Sequence, residues 1–345
     1  MKAVQIHAHG GIDQLRYQDV DEPQLQSHHD VIVKLKAAAV NRVDLAVRSG
    51  INGESISFPR TIGADGAGTV FSAGVEVRNV KPGDAVCLYP IYGCGDCQFC
   101  AAEQESRCGQ RRFLGERDNG TYAEFVRVPA QHCFAMPGGL SFEAAAAFPL
   151  VYVTVWRMLI TQADLKPGES ILIVGAGGGI ATAALQVASA TGARVIVTSG
   201  SEEKLLAAGD FGAEHGINCN RAEFAKAVRS LTGKRGVDVV VNCVGGASWA
   251  ESLASLARGG RLVTCGGVAG AHPKTDLRRV FWNHLKLFAA NSGTRQEFLR
   301  VLNFFADAQR EPIMDQVFSL KDARSAHQRL EERKQFGKIV LRMDS

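Results

Sequence analysis

Four of the nine cysteines fall within one short stretch, GCGDCQFCAAEQESRC, as Cys94, Cys97, Cys100 and Cys108. The spacing C-x-x-C-x-x-C-x7-C delivers four thiolates, a closed tetrahedral set for Zn²⁺ that leaves no position for a substrate. The chemistry expected of it is structural: one Zn²⁺ per chain that fastens its loop and does not act as a Lewis acid. The other five cysteines, Cys87, Cys133, Cys219, Cys243 and Cys265, are scattered and odd in number. That is the pattern of reduced cytosolic thiols rather than of a disulfide framework.

A second chemistry lies in ILIVGAGGGIATAALQVA. A buried strand runs through glycines into a helix, so backbone N–H groups can approach a pyrophosphate at the helix N-terminus, where the dipole favours negative charge. Gly177, Gly178, Gly179 and Ile180 form that turn. At the end of the next strand, ARVIVTSGSEEKL, the acidic residue that would bind a ribose 2′-hydroxyl is replaced by Ser199-Gly200-Ser201, with Lys204 following. Hydroxyls and an ammonium accept a 2′-phosphate that a carboxylate would repel, so the cofactor read here is NADP(H). Glu202 or Glu203 on the ribose, after a shift of register, is the alternative.

The elements that must position these groups change character along the chain. Up to Leu140, short apolar segments such as DVIVKLKAAAV, GAGTVFSAG and TYAEFVRVP are separated by Gly and Pro turns and read as β-rich. LSFEAAAAFPLVYVTVWRML is then a long apolar helical stretch with Ser141 as N-cap and a break at Pro149. From Lys166 onward strand and helix alternate. The Val/Ile runs there show no polar alternation, so these strands are buried on both faces and form a parallel sheet between helices. ASWAESLASLARGG reads as one helix, GGRLVTCGGVAG and HLKLFAANSG as late strands, RQEFLRVLNFFADAQ as a helix and FGKIVLRM as a closing strand. The net charge of +4 comes without any Lys/Arg run, which argues against a nucleic-acid partner. No apolar run is long enough to span a bilayer and the start shows no secretory pattern, so no membrane partner and a cytoplasmic location are expected.

Together AAAVNRVD, IGADGAGTV, VKPGDAV, the cysteine cluster, GTYAEFV, PLVYVTVWRML, GAGGGIATAALQVA and FGKIVL make the chain resemble the medium-chain dehydrogenase/reductase superfamily over nearly its full length. Within it the chain is most similar to the quinone oxidoreductase-like branch. The resemblance implies an α/β chain with a GroES-like β-rich catalytic domain over residues 1–150 and 294–345. It implies a Rossmann doubly wound parallel-sheet domain over 151–293, and an active site in the cleft between the two. Asn41, Arg42, Asp44 and Tyr152 are then catalytic candidates, with a loop-buttressing role the alternative for Asp44; Tyr89 and Tyr92, ahead of the zinc lobe, either line the mouth or pack the core. Thr154 is placed against the nicotinamide, Val244, Gly266 and Ser292 along the cofactor, and Lys338 near its phosphates.

The family's catalytic zinc needs a Cys, a His and a further Cys or Asp. Asn41, Ala64 and Leu150 stand in those places, and Asp65 stands for the Glu beside the His. An amide, a methyl and an isobutyl group do not hold Zn²⁺. The expected function is an NADPH-dependent oxidoreductase that delivers hydride to an activated double bond or quinone without catalytic zinc. Asn41 and Arg42 would steady the enolate oxygen, and Tyr152 or solvent would supply the proton. The alternatives are an alcohol dehydrogenase or carbonyl reductase of the same superfamily, and a non-catalytic cofactor-binding scaffold. The partners expected are a small-molecule substrate and further copies of the chain, as a homodimer or homotetramer joined through the apolar late strands.

Overall fold

A computed structural model describes residues 1–50, 56–306 and 310–343. The chain forms two compact units, Met1–Leu150 with Thr294–Ser345, and Val151–Gly293.

The first unit is built on a seven-stranded sheet ordered Cys133–Ala135, Ala85–Leu88, Asp65–Ala73, Asp30–Ala39, Lys338–Arg342, Met314–Ser319, with Phe125–Pro129 also paired to Asp30–Ala39. Asp30–Ala39 is buried along nearly its whole length. Its Val31, Val33, Leu35 and Ala38 share one core with Tyr122, Leu330 and Leu341, each large aliphatic side chain contributing about 1.5–3 kcal/mol on burial. Register then sets the chemistry. Ala39 lies opposite Asp65 on one side and opposite Val340 on the other. At one end of the sheet the last residue of the central strand thus meets the first residue of one neighbour and the third residue of the other. Entry into Lys338–Arg342 depends on Gly337, whose φ is +108° and where a Cβ would stand 2.4 Å from the Ile313 carbonyl oxygen. A side chain at that position would be strained and would clash.

The expected helix break is present. Ser141 caps Phe142–Ala147 by accepting the Ala144 N–H at 3.1 Å, and a second helix, Pro149–Trp156, starts at the proline. Pro tolerates a first helical position because its missing N–H has no partner there anyway. The later helix spans Arg295–Ala306; residues 307–309 of the expected RQEFLRVLNFFADAQ helix lie outside the described residues.

In the second unit, from Ser170 on, the elements are β1 (Ser170–Val174), α1 (Gly179–Thr191), β2 (Arg194–Ser199), α2 (Glu202–Asp210), β3 (Ala213–Asn218), α3 (Phe224–Leu231), β4 (Val237–Asn242), α4 (Ser248–Ser255), β5 (Leu256–Thr264), α5 (Leu277–Trp282) and β6 (Lys286–Ala289). The six strands form one parallel sheet in the order β3-β2-β1-β4-β5-β6, the doubly wound arrangement of a dinucleotide fold. Strand β3, AEHGIN, is an edge strand with a mostly exposed face, so it lacks the Val/Ile signal of its neighbours. The helix read through ASWAESLASLARGG ends early, at Ser255. Leu256 instead pairs with Val237 and begins β5, because sheet pairing and burial of Leu256 and Ala257 override the local helical preference. Among the described residues no helix is long and apolar enough to cross a membrane.

Candidate functional site

The metal centre belongs to the first unit. Ile91–Tyr92 pairs antiparallel with Arg112–Phe113 at the base of the loop, and Cys97 N-caps the short helix Gln98–Ala101. Gly93 packs so closely that a Cβ would stand 2.6 Å from the Cys100 sulfur. The Sγ atoms of Cys94, Cys97, Cys100 and Cys108 all lie within 4.8 Å of one another, with Cys94 and Cys100 3.9 Å apart. Tetrahedral zinc with Zn–S bonds of about 2.3 Å separates its sulfurs by about 3.8 Å. Cys108 Sγ also accepts the N–H groups of Cys94 at 3.4 Å and Gln110 at 3.3 Å, and these bonds, Cys94's first, bring its thiol down to about 7. Four thiols at this spacing with N–H···S support fit Zn²⁺, and they would hold it as a closed site.

A buried polar cluster occupies the sheet end described above. Asn41 caps the helix Arg42–Ser49 and forms a capping box with Asp44, whose Oδ2 accepts the Asn41 N–H at 2.8 Å. The Asn41 amide Nδ2 donates to Asp65 Oδ2 at 2.8 Å and to the Ala39 carbonyl at 3.2 Å. Lys338 Nζ donates to Asn41 Oδ1 at 2.5 Å and to Asp65 Oδ2 at 3.1 Å. Asp65 Oδ1 accepts the Leu150 N–H at 2.9 Å. Asp65, Lys338 and Asn41 are 0, 3 and 5% exposed. The resemblance puts Lys338 near cofactor phosphates; in the structure its ammonium lies against Asn41 and Asp65. Arg42, on the first turn of its helix, is exposed.

Behind Asp44 runs a chain of groups that the sequence reading did not identify. Tyr122 Oη donates to Asp44 Oδ2 at 3.0 Å and lies 3.1 Å from His327 Nε2, and His327 Nδ1 lies 3.1 Å from Arg48 NH1. Arginine can only donate, so Nδ1 accepts, Nε2 carries the proton and gives it to Tyr122, and Tyr122 gives its own to Asp44. Arg48 continues the chain to Glu331. Burial, with the neighbouring Arg48 charge second, lowers His327 to about 3, which keeps the ring neutral. Burial raises Asp44 to about 7 against the opposing Asn41 N–H. A lone His 279 residues from its arginine gives no sequence signal.

Tyr89 and Tyr92 are packing residues, 2 and 6% exposed. The Tyr92 ring stacks on His132 at 3.9 Å, and Tyr89 packs against Phe134 and Phe298 while its hydroxyl donates to Glu105 at 2.8 Å.

The nucleotide turn belongs to the second unit. Gly175 and Gly177 have φ of +88° and +111°. Gly175 N–H donates to Thr198 Oγ1 at 3.1 Å and Ala176 N–H to the Thr198 carbonyl at 2.7 Å, tying the turn to β2. Gly178 caps α1, leading into Gly179 and Ile180, with no side-chain bond to the first amides, and a Cβ on it would meet nothing within 4 Å. Open amides and open space at the carboxyl end of β1 fit a dinucleotide pyrophosphate.

At the end of β2, Ser201 N–H donates to Ser199 Oγ at 3.1 Å, and Ser201 Oγ caps α2 by accepting the Lys204 N–H at 3.3 Å. The Glu202 carboxylate is directed to Asn218 at 2.7 Å and Arg221 at 3.0 Å. Tyr152 is buried and its hydroxyl donates to Gln186 Oε1 of α1. Thr154 and Ser292 are buried, Val244 is half-buried and Gly266 is exposed.

Residues 27–138 match the alcohol dehydrogenase GroES-like domain and residues 179–307 match the zinc-binding dehydrogenase family. A protein of Sulfolobus acidocaldarius named NAD-dependent alcohol dehydrogenase is 33% identical, covering 99% of this chain and 100% of its own length. An acryloyl-coenzyme A reductase of Metallosphaera sedula is 29% identical, covering 99% of both chains. A crystal structure described as NAD-dependent alcohol dehydrogenase superposes with a TM-score of 0.96 at 37% identity over 100% of both chains.

Proposed function

The chain belongs to the alcohol dehydrogenase-like medium-chain dehydrogenase/reductase superfamily of oxidoreductases, and on that premise we propose that it reduces an activated carbon–carbon double bond or a quinone with NADPH and without a catalytic zinc. The observation that carries this reading is the ammonium of Lys338, bonded to both Asn41 Oδ1 and Asp65 Oδ2. By the resemblance Asn41 stands for a metal-ligating Cys and Asp65 for the Glu beside the metal-ligating His, and a divalent cation next to them would meet a buried positive charge. NADPH, when bound, supplies the hydride. Asn41 has both amide protons engaged inside the cluster, so the donor we assign to the substrate oxygen is the remaining N–H of Lys338. Paired with Asp65, Lys338 offers a directed hydrogen bond and little net charge. One such donor is worth about 3–4 kcal/mol where negative charge develops. That is modest for a localised alkoxide, and it suits a conjugated acceptor that spreads the charge through its π-system. Tyr152, engaged with Gln186, favours solvent as the proton source for the carbon.

The relative named acryloyl-coenzyme A reductase supports this substrate class. A panel of enones, quinones, enoyl thioesters, aldehydes and alcohols, scored by nicotinamide absorbance with and without chelator, tests it. Conjugated substrates should lead by a wide margin and chelator should not abolish turnover; robust alcohol oxidation lost on metal removal would refute the reading. The 33% identical relative named alcohol dehydrogenase favours a second reading, a zinc-independent alcohol or carbonyl oxidoreductase. Chelator-resistant activity on aldehydes above that on enones would select it.

For the cofactor, β2 ends at Ser199 without a carboxylate and Glu202 is held by Asn218 and Arg221. We therefore expect tighter binding of NADPH than of NADH, with Lys204→Ala narrowing the gap roughly tenfold, the loss of one charge-assisted bond. Equal affinities in a direct titration of the unaltered protein would refute the preference.

For assembly, β6 is the sheet edge, with Leu287 exposed on it and Phe281 and Trp282 of α5 exposed nearby in sequence. An unpaired apolar edge invites pairing, and a homodimer or a dimer of dimers through β6 is the assembly proposed. Light scattering at micromolar concentration should return two or four chain masses; a monomer mass would contradict it.

A further inference from the structure

Cys243 and Cys265, 22 residues apart in sequence and outside the metal cluster, lie with their sulfurs 3.2 Å apart. The sheet puts them there. Val241 of β4 is paired with Val263 of β5, so each cysteine stands two residues further on, just past the carboxyl end of its strand. The Cys243 side is held rigidly. Asn242 Oδ1 accepts the N–H groups of Val244 and Gly245, each at 2.9 Å, while its Nδ2 donates to Ser248 at 3.0 Å and Ser252 at 2.8 Å. As residues both are half-buried, with the sulfurs turned inward towards each other, whereas Cys87 and Cys133 are fully buried in the other unit. A proton shared between the two sulfurs lowers the Cys243 thiol and raises that of Cys265, while burial opposes ionisation of either. A disulfide bond of about 2.05 Å requires the sulfurs to approach by roughly 1 Å.

We propose that Cys243 and Cys265 form a redox-modification site at which hydrogen peroxide closes a reversible intramolecular disulfide. The Cys243 thiolate attacks the peroxide, the O–O bond breaks, one water leaves after protonation, and the sulfur becomes a sulfenic acid. The Cys265 sulfur then attacks it, the S–O bond breaks and a second water leaves. Two thiols lose two hydrogens in all and one hydrogen peroxide is reduced to two waters. The site adjoins Val244 and Gly266, which the family resemblance puts along the cofactor, so on that placement closure also weakens nucleotide binding.

The test treats the full-length, zinc-loaded chain with hydrogen peroxide at a dose that releases no zinc, blocks remaining thiols by alkylation and maps the digest by mass spectrometry. The expected product is a Cys243–Cys265 linked peptide that dithiothreitol removes and that Cys243→Ser or Cys265→Ser each abolishes. Exposed Cys219 in the same digest reports the reactivity of a single thiol. Recovery of both cysteines as free thiols at a dose that oxidises Cys219, or as separate sulfinic acids without a link, would overturn the proposal. NADPH affinity is measured on the same samples and should fall severalfold in the oxidised protein but not in peroxide-treated Cys265→Ser. A linked peptide with unchanged affinity would uphold the thiol site and remove Val244 and Gly266 from the nucleotide contacts, which separates the two readings.

Discussion

Replacing Lys338 by Met should lower kcat on a conjugated substrate by roughly 10²–10³-fold, the cost of one oxyanion donor. Stability is expected to fall as well, because the change leaves the buried Asp65 without its counter-charge, a loss of about 3–5 kcal/mol. The two effects separate in the double variant Lys338→Met/Asp65→Asn. Removing both charges should return most of the thermal stability and none of the activity. Lys338→Arg keeps the charge but displaces the donor and should retain part of the rate. Steady-state rates at saturating NADPH, corrected for folded fraction, make the comparison. Near-normal turnover per folded molecule in the double variant would show that Lys338 only holds Asn41 and Asp65 in place.

Cys97→Ser should lower stability markedly while sparing the chemistry. One of four thiolates is lost from a site whose sulfurs lie within 4.8 Å, and a hydroxyl does not replace it as a ligand for zinc. Structural zinc contributes directly to folding. A loss of about 3 kcal/mol would lower the thermal midpoint by roughly 6–12 °C for a unit of this size. Zinc measured on the purified protein should fall from about one per chain towards none, while activity per folded molecule changes little. A second stoichiometric zinc in the unaltered protein, lost on changing Asp65, would refute both this reading and the metal-free site.

Much of the molecule was legible because its signals are local. Three short gaps bring the cysteines to one loop whatever the rest of the chain does. The glycine turn follows its strand and opens its helix within ten residues. Val/Ile runs announce buried parallel strands, and Ser141 and Pro149 mark helix boundaries by their own backbone chemistry. The edge strand β3 escaped because an exposed edge does not need apolar residues on both faces. The start of β5 was misread because LARGG becomes a strand only by pairing with β4.

The buried cluster has a different origin. Lys338 and Asn41 are 297 residues apart, and Tyr122 and His327 are 205 apart. Each is a single polar residue with no periodic pattern to mark it. Cys243 and Cys265 looked like scattered thiols for the same reason. Local spacing is sufficient where every ligand lies on one short stretch of backbone, as in the zinc loop and the nucleotide turn. Where the partners come from separate strands, their meeting depends on sheet register, and a shift of one residue would turn Asp65 or Lys338 to the opposite face. That register is set by the burial of the whole central strand against its neighbours, an energy summed over the core that no single residue in the chain reveals.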